Sequence, residues 1–191
     1  MKYKTFLVGC LGGLLSLNSC TNSPDMTDYA AYVNPFIGTG GHGHTFPGAI
    51  VPHGMISPSP DTRIDGWDAC SGYYYADSTI NGFSHTHLSG TGCCDYGDVL
   101  LMPTVGEQKY LPTGSQSQQM AYASAFSHQN ETAEPGYYSV FLDTYQVKAE
   151  LTASKRAAIH RYTFPESKEA GFILDLDYSL QRPVSYTHLT L

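Results

Sequence analysis

Chemistry-bearing side chains crowd into residues 34–98. Two His-x-His pairs stand there, His42/His44 and His85/His87. Between them lies Trp67, the only tryptophan, in an Asp65-Gly66-Trp67-Asp68 run. Three kinds of chemistry fit these residue types. Four imidazoles brought together could ligate zinc or iron. Two carboxyl groups, with Asp65 and Asp95 the candidates, are what acid and base hydrolysis of a glycosidic bond requires. Imidazoles, carboxylates and a flat indole together suit a sugar, which offers hydroxyl groups on one side and a patch of C–H bonds on another.

Each reading needs particular elements to place the side chains. Gly40, Gly41 and Gly43 give the segment His42–Gly48 the turns of a loop that carries backbone N–H groups to a ligand, with His44 donating a hydrogen bond and Phe46 covering an apolar sugar face. A phosphate-binding loop does not fit, because no Lys-Ser or Lys-Thr follows. His85 and His87, two apart on an expected strand, face one way. They could share a metal, join Ser84, Thr86 and Ser89 in a hydrogen-bonded cluster, or touch a sugar. The two carboxylates beside Trp67 set it apart from a core tryptophan.

The framework reads as all-β. Gln146 to Thr152 alternates strictly, with Val147, Ala149 and Leu151 on one face. Ala158 to Phe164 aligns His160, Tyr162 and Phe164 in the same way, and Gly171 to Asp177 aligns Phe172, Leu174 and Leu176. Tyr137 to Leu142, Asp98 to Met102 and Ile80 to His87 are shorter candidates bounded by turn residues. Runs this closely spaced favour an antiparallel β-sandwich. Gln116 to Phe126 is the one stretch with a weak helical spacing. His160-Arg161-Tyr162 is expected to be structural, with Arg161 pairing a carboxylate.

Residues 1–19 resemble a bacterial lipoprotein signal: Lys2 and Lys4, an apolar run from Phe6 to Leu17, and small residues before Cys20, which would carry the lipid. Such a chain is exported and held at a membrane surface through the anchor, on the outer membrane facing the periplasm or the cell exterior. Residues 20–28 read as a tether, 29–182 as a partial β-sandwich domain and 183–191 as a tail of non-native appearance. The formal charge is already −7, and losing the two signal lysines makes it more acidic, which argues against a nucleic-acid partner. Past the signal and the lipidated Cys20, Cys70, Cys93 and Cys94 remain, so at most one disulfide forms among them.

The runs VNPFIGTGGHGHTFPGAIVPHGM, DGWDACSGYYYADSTINGFSHTHLSGTGCCDYGDVLLMP, FSHQNETAEPGYYSVFL and AELTASKRAAIHRYTFP occur in order. Together they resemble the amino-terminal part of glycoside hydrolase family 92, from about Tyr32 to Asp177. The resemblance implies a calcium-dependent, inverting exo-α-mannosidase acting on mannose-containing glycans such as N-glycans and mannan. It also implies a β-sandwich followed by an (α/α)6 domain that holds the acid, the base and the calcium ligands. On that reading Trp67 reaches across to the subsite beside the cleaved sugar. Substrate-binding residues are then Trp67, His44, Phe46, Asp65, His85 and His87, with no catalytic residue and no metal ligand in this stretch. The (α/α)6 domain is expected to be missing, so that the chain binds sugar without hydrolysing it. Two other readings stand beside this one: a stand-alone carbohydrate-binding surface lipoprotein, and a histidine-rich metal-binding β-protein.

Overall fold

The computed structural model describes residues 27–108 and 119–180. The signal, Cys20, nearly all of the tether and the tail fall outside them. Within the described residues lie nine strands: β1 (Ser59–Asp61), β2 (Thr79–Ile80), β3 (Gly82–Ser84), β4 (Leu100–Val105), β5 (Ser124–Glu134), β6 (Tyr137–Leu142), β7 (Val147–Ala153), β8 (Ala158–Thr163) and β9 (Ala170–Asp175). They form two antiparallel sheets in the orders β1-β3-β4-β9 and β2-β5-β6-β7-β8. One apolar core joins the sheets, with Phe83, Leu100, Met102 and Ile173 from the first and Ile80, Val140, Val147, Ala149 and Leu151 from the second. This is the antiparallel β-sandwich that the alternating runs imply.

Local chemistry explains the ladder. Pro135-Gly136 joins β5 to β6, with Glu134 opposite Tyr137 and Gly136 at φ +78°, where a Pro-Gly turn places its second residue. Val147, Ala149 and Leu151 are all buried, as their alternation requires. Glu150, on the opposite face of β7, is buried too, beneath Tyr137 and Arg161.

Three expectations change. The run Ile80 to His87 does not form one strand. Ile80 belongs to β2 and pairs with β5, whereas Gly82–Ser84 pairs with β1 and β4, so the chain passes from one sheet to the other at Asn81. Residues 119–126 form no helix. Met120, Tyr122, Ser124 and Phe126 are buried at every second position, a strand period, and Ser124–Phe126 opens β5. Phe172 and Leu174 share a face as expected, whereas Leu176 lies past the end of β9; β9 is an edge strand, and Leu174 is 57% exposed while Ile173 on the opposite face is buried.

Candidate functional site

Trp67 opens a short 3-10 turn (Trp67–Ala69) that follows Gly66, whose φ of +99° swings the indole outward. The ring is 56% exposed. His42 and His44 stand beside it, with ring centroids 5.0 Å and 4.4 Å away. His44 is buried at 7% exposure, meets the indole edge-on, and its Nε2 finds no protein hydrogen-bond partner among the described residues. His42 Nδ1 lies 2.5 Å from Asp68 Oδ1. With the proton on Nδ1 held by that carboxylate, Nε2 is left with a free lone pair. Gly92 runs against the indole: a Cβ at that position would stand 2.7 Å from Trp67 Nε1.

The glycine-rich loop is braced internally. Gly43 N donates to Gly40 O, Thr45 N donates to Gly38 O, and Thr45 Oγ1 donates to Ile37 O. The backbone N–H groups of Gly43 and Thr45 are therefore consumed by the loop itself. A Cβ on Gly43 would fall 2.1 Å from Gly38 O, so this glycine serves close backbone approach. His44 takes φ +55° to bring its ring beneath Trp67.

The other sequence candidates lie apart. Asp65 is exposed at the start of the Trp67 turn. Phe46 is buried and packs on His87 with 4.9 Å between centroids. His87 has a fully buried side chain. Its Nδ1 donates to Ser57 O at 2.7 Å, and its Nε2 faces Asp61 Oδ1 at 2.8 Å and Ser84 Oγ at 3.0 Å. His85 turns elsewhere, donating from Nδ1 to Val99 O at 2.6 Å and stacking on His160 at 4.8 Å. β3 ends at Ser84, so the two-residue spacing no longer aligns the pair, and His42, His44, His85 and His87 do not converge. Among the described residues no group of three or more His, Cys, Asp or Glu side chains could hold a metal ion.

Two groups went unread in the sequence. His42 with Asp68 was visible only as spacing, since 26 residues separate them. Glu131 sits at the bulge of β5 with a buried carboxylate bonded by Tyr73, Tyr138 and His128. Burial and the Glu131 charge push the Tyr138 phenol well above its ordinary range. This carboxylate is held in place by its three donors. Glu150 is likewise committed, held down to about 2 first by the Arg161 hydrogen bonds and then by that of Tyr137, opposite to what a general acid needs. The arrangement around Trp67 can thus stack against a ring and exchange hydrogen bonds through His42 and His44.

A family model described as the glycosyl hydrolase family 92 N-terminal domain matches residues 32–190. A secreted glycosidase of Arthroderma benhamiae, itself uncharacterized, is 32% identical over 141 residues, which is 73% of this chain and 18% of that protein. The fold superposes with a TM-score of 0.75 on a family GH92 α-mannosidase of Bacteroides thetaiotaomicron in complex with mannoimidazole, at 47% identity, covering 79% of this chain and 20% of that one. It superposes at 0.66 on a family GH92 inverting mannosidase of the same organism, at 34% identity over 80% of this chain and 20% of that one. The chain spans about a fifth of the length of these relatives. With the sandwich, the motifs and 159 of its 191 residues matched, the chain belongs to glycoside hydrolase family 92, as its amino-terminal domain.

Proposed function

We propose that this domain supplies the substrate-binding wall of an exported α-mannosidase that removes terminal α-linked mannose from N-glycans or mannan with inversion. The observation that carries the proposal is the exposed Trp67 indole flanked by His42 and His44. The indole stacks on the C–H face of a mannose unit, His42 accepts a hydroxyl proton at Nε2, and the buried His44 Nε2 meets a second hydroxyl or a water that serves one. Asp68 keeps the His42 ring turned for this contact. Relatives named as α-mannosidases, one of them in complex with mannoimidazole, support the substrate class.

The proton-transfer pair and the calcium ligands belong, on this proposal, to an (α/α)6 domain that pairs with the sandwich, and the present chain alone does not hydrolyse. Inversion needs two free carboxyl groups about 6.5–9.5 Å apart. Glu131 and Glu150 are tied into buried networks, and Asp61 is tied to His87. Export is supported by the signal-like start and by the secreted relative; the lipid on Cys20 rests on the sequence pattern.

Titration of α-linked mannobiose against tryptophan emission tests the binding role, because Trp67 is the only indole. A saturable change, together with weaker retention of Trp67→Ala on immobilised mannan, supports it. Unchanged retention by Trp67→Ala rejects it.

A further inference from the structure

Beneath Trp67 lie two cysteines that the sugar reading does not use. Cys70 closes the Trp67 turn, its N–H donating to Trp67 O, and Cys94 ends the loop that passes over the indole at Gly92. Both are buried, whereas Cys93 is exposed. The contacts cross over. Cys70 Sγ donates to Thr91 O at 3.1 Å, on the segment of Cys94, and Cys94 Sγ reaches Gly66 O at 3.6 Å, on the segment of Cys70.

We propose that Cys70 and Cys94 form a disulfide that fixes the Trp67 turn to the loop over it, leaving Cys93 as the free thiol. Sequence arithmetic allows one disulfide among three cysteines and leaves the pair open; the crossed contacts select it. Cys93 is exposed, and of the two adjacent thiols the one that reaches the Trp67 turn is that of Cys94, at Gly66 O. In the oxidation two thiols lose two protons and two electrons to a small-molecule disulfide: Cys70–SH and Cys94–SH with one oxidised glutathione give the Cys70–Cys94 S–S bond and two reduced glutathiones. Burial raises the Cys70 thiol and pushes that of Cys94 up to about 11, so the folded reduced pair is slow to react. Oxidation therefore proceeds when residues 88–98 lift from the turn. Closing the link restrains the backbone on both sides of the indole and stabilises the fold by limiting the unfolded chain.

The test uses oxidised glutathione in vitro, so that the pairing stands or falls independently of export and of sugar binding. The folded, reduced chain is oxidised overnight, blocked with iodoacetamide and cleaved before aspartate. This separates 68–76, which holds Cys70, from 77–94, which holds Cys93 and Cys94. Expected is a single cross-linked species joining the two peptides, with fragmentation placing the alkyl group on Cys93, and the same link in Cys93→Ser. Expected too is a Tm about 5–10 °C above that of the reduced chain, a difference that Cys70→Ser loses. Alkylation of both Cys70 and Cys94 after oxidation, or a link through Cys93, overturns the proposal.

Discussion

The His44 imidazole meets the Trp67 indole edge-on, with 4.4 Å between ring centroids and 84° between planes, so one ring is buried and the other is held out to solvent. An exposed aromatic ring braced from below contributes to recognition more than to folding. Trp67→Ala is expected to weaken binding of mannose-containing glycans by about tenfold or more, which corresponds to about 1.4 kcal/mol. Its stability cost should stay below roughly 1 kcal/mol, against the 3–5 kcal/mol typical of a buried aromatic. Isothermal titration and urea unfolding of the variant check both halves. A large loss of stability with intact binding would make Trp67 a core residue.

Asp68 acts through His42. Removing the carboxylate frees the ring to rotate without touching the sugar itself, and because the pair is largely exposed the effect is modest. Asp68→Ala is expected to lower glycan affinity about two- to fivefold, and His42→Ala by a similar factor, with the double variant no worse than either single one. Additive losses would show that the two residues contact ligand independently.

Asp61 and His87 form the opposite case, with both side chains fully buried. Removing one partner leaves a buried polar group unmatched, at a cost of about 3–5 kcal/mol. Asp61→Ala should therefore lower the urea midpoint sharply. At temperatures where it remains folded, its glycan affinity should equal that of the parent chain. A selective loss of affinity at unchanged stability would place His87 in the binding site after all.

His160 sets a pH dependence. Burial, and then the charge of His85 stacked on it, hold the His160 imidazole down to about 4, against an ordinary value of 6.5. The unfolded chain binds this proton first, so stability is full above pH 6.5 and falls as pH drops from 6.5 to 4, by roughly 2–3 kcal/mol. Glu150, held down to about 2, adds a second loss that begins near pH 4.5 and runs to pH 2. Urea midpoints measured from pH 7.5 to 4.5 should fall for the parent chain and stay flatter for His160→Phe. Equal slopes would remove His160 from the account.

β7 and β8, read from strict alternation, were placed within a residue or so, and β6, read from its bounding turn residues, residue for residue. In β8 the pattern and the packing obey one period. β1 and β5 were missed. β1 is three residues long and begins Ser59-Pro60, and β5 carries a bulge between Phe126 and Glu131 that breaks its alternation. Asp65 and Asp68 flanking Trp67 are a local signal that sets it apart from a core tryptophan, and the ring is exposed. His42 with Asp68, and Glu131 with Tyr73, are separated by 26 and 58 residues, and spacing carries no information about such contacts. His85 and His87 misled because a two-residue period holds only while the strand continues, and β3 ends one residue before them.

The most direct measurement incubates the purified 191-residue chain, free of any longer form, with an α-linked mannobiose while mannose release and tryptophan emission are followed together. Expected is a saturable change in tryptophan emission, with no mannose released. Mannose release by this chain, or emission that ignores the sugar, would contradict the assignment of this domain as a binding wall without its own hydrolytic pair.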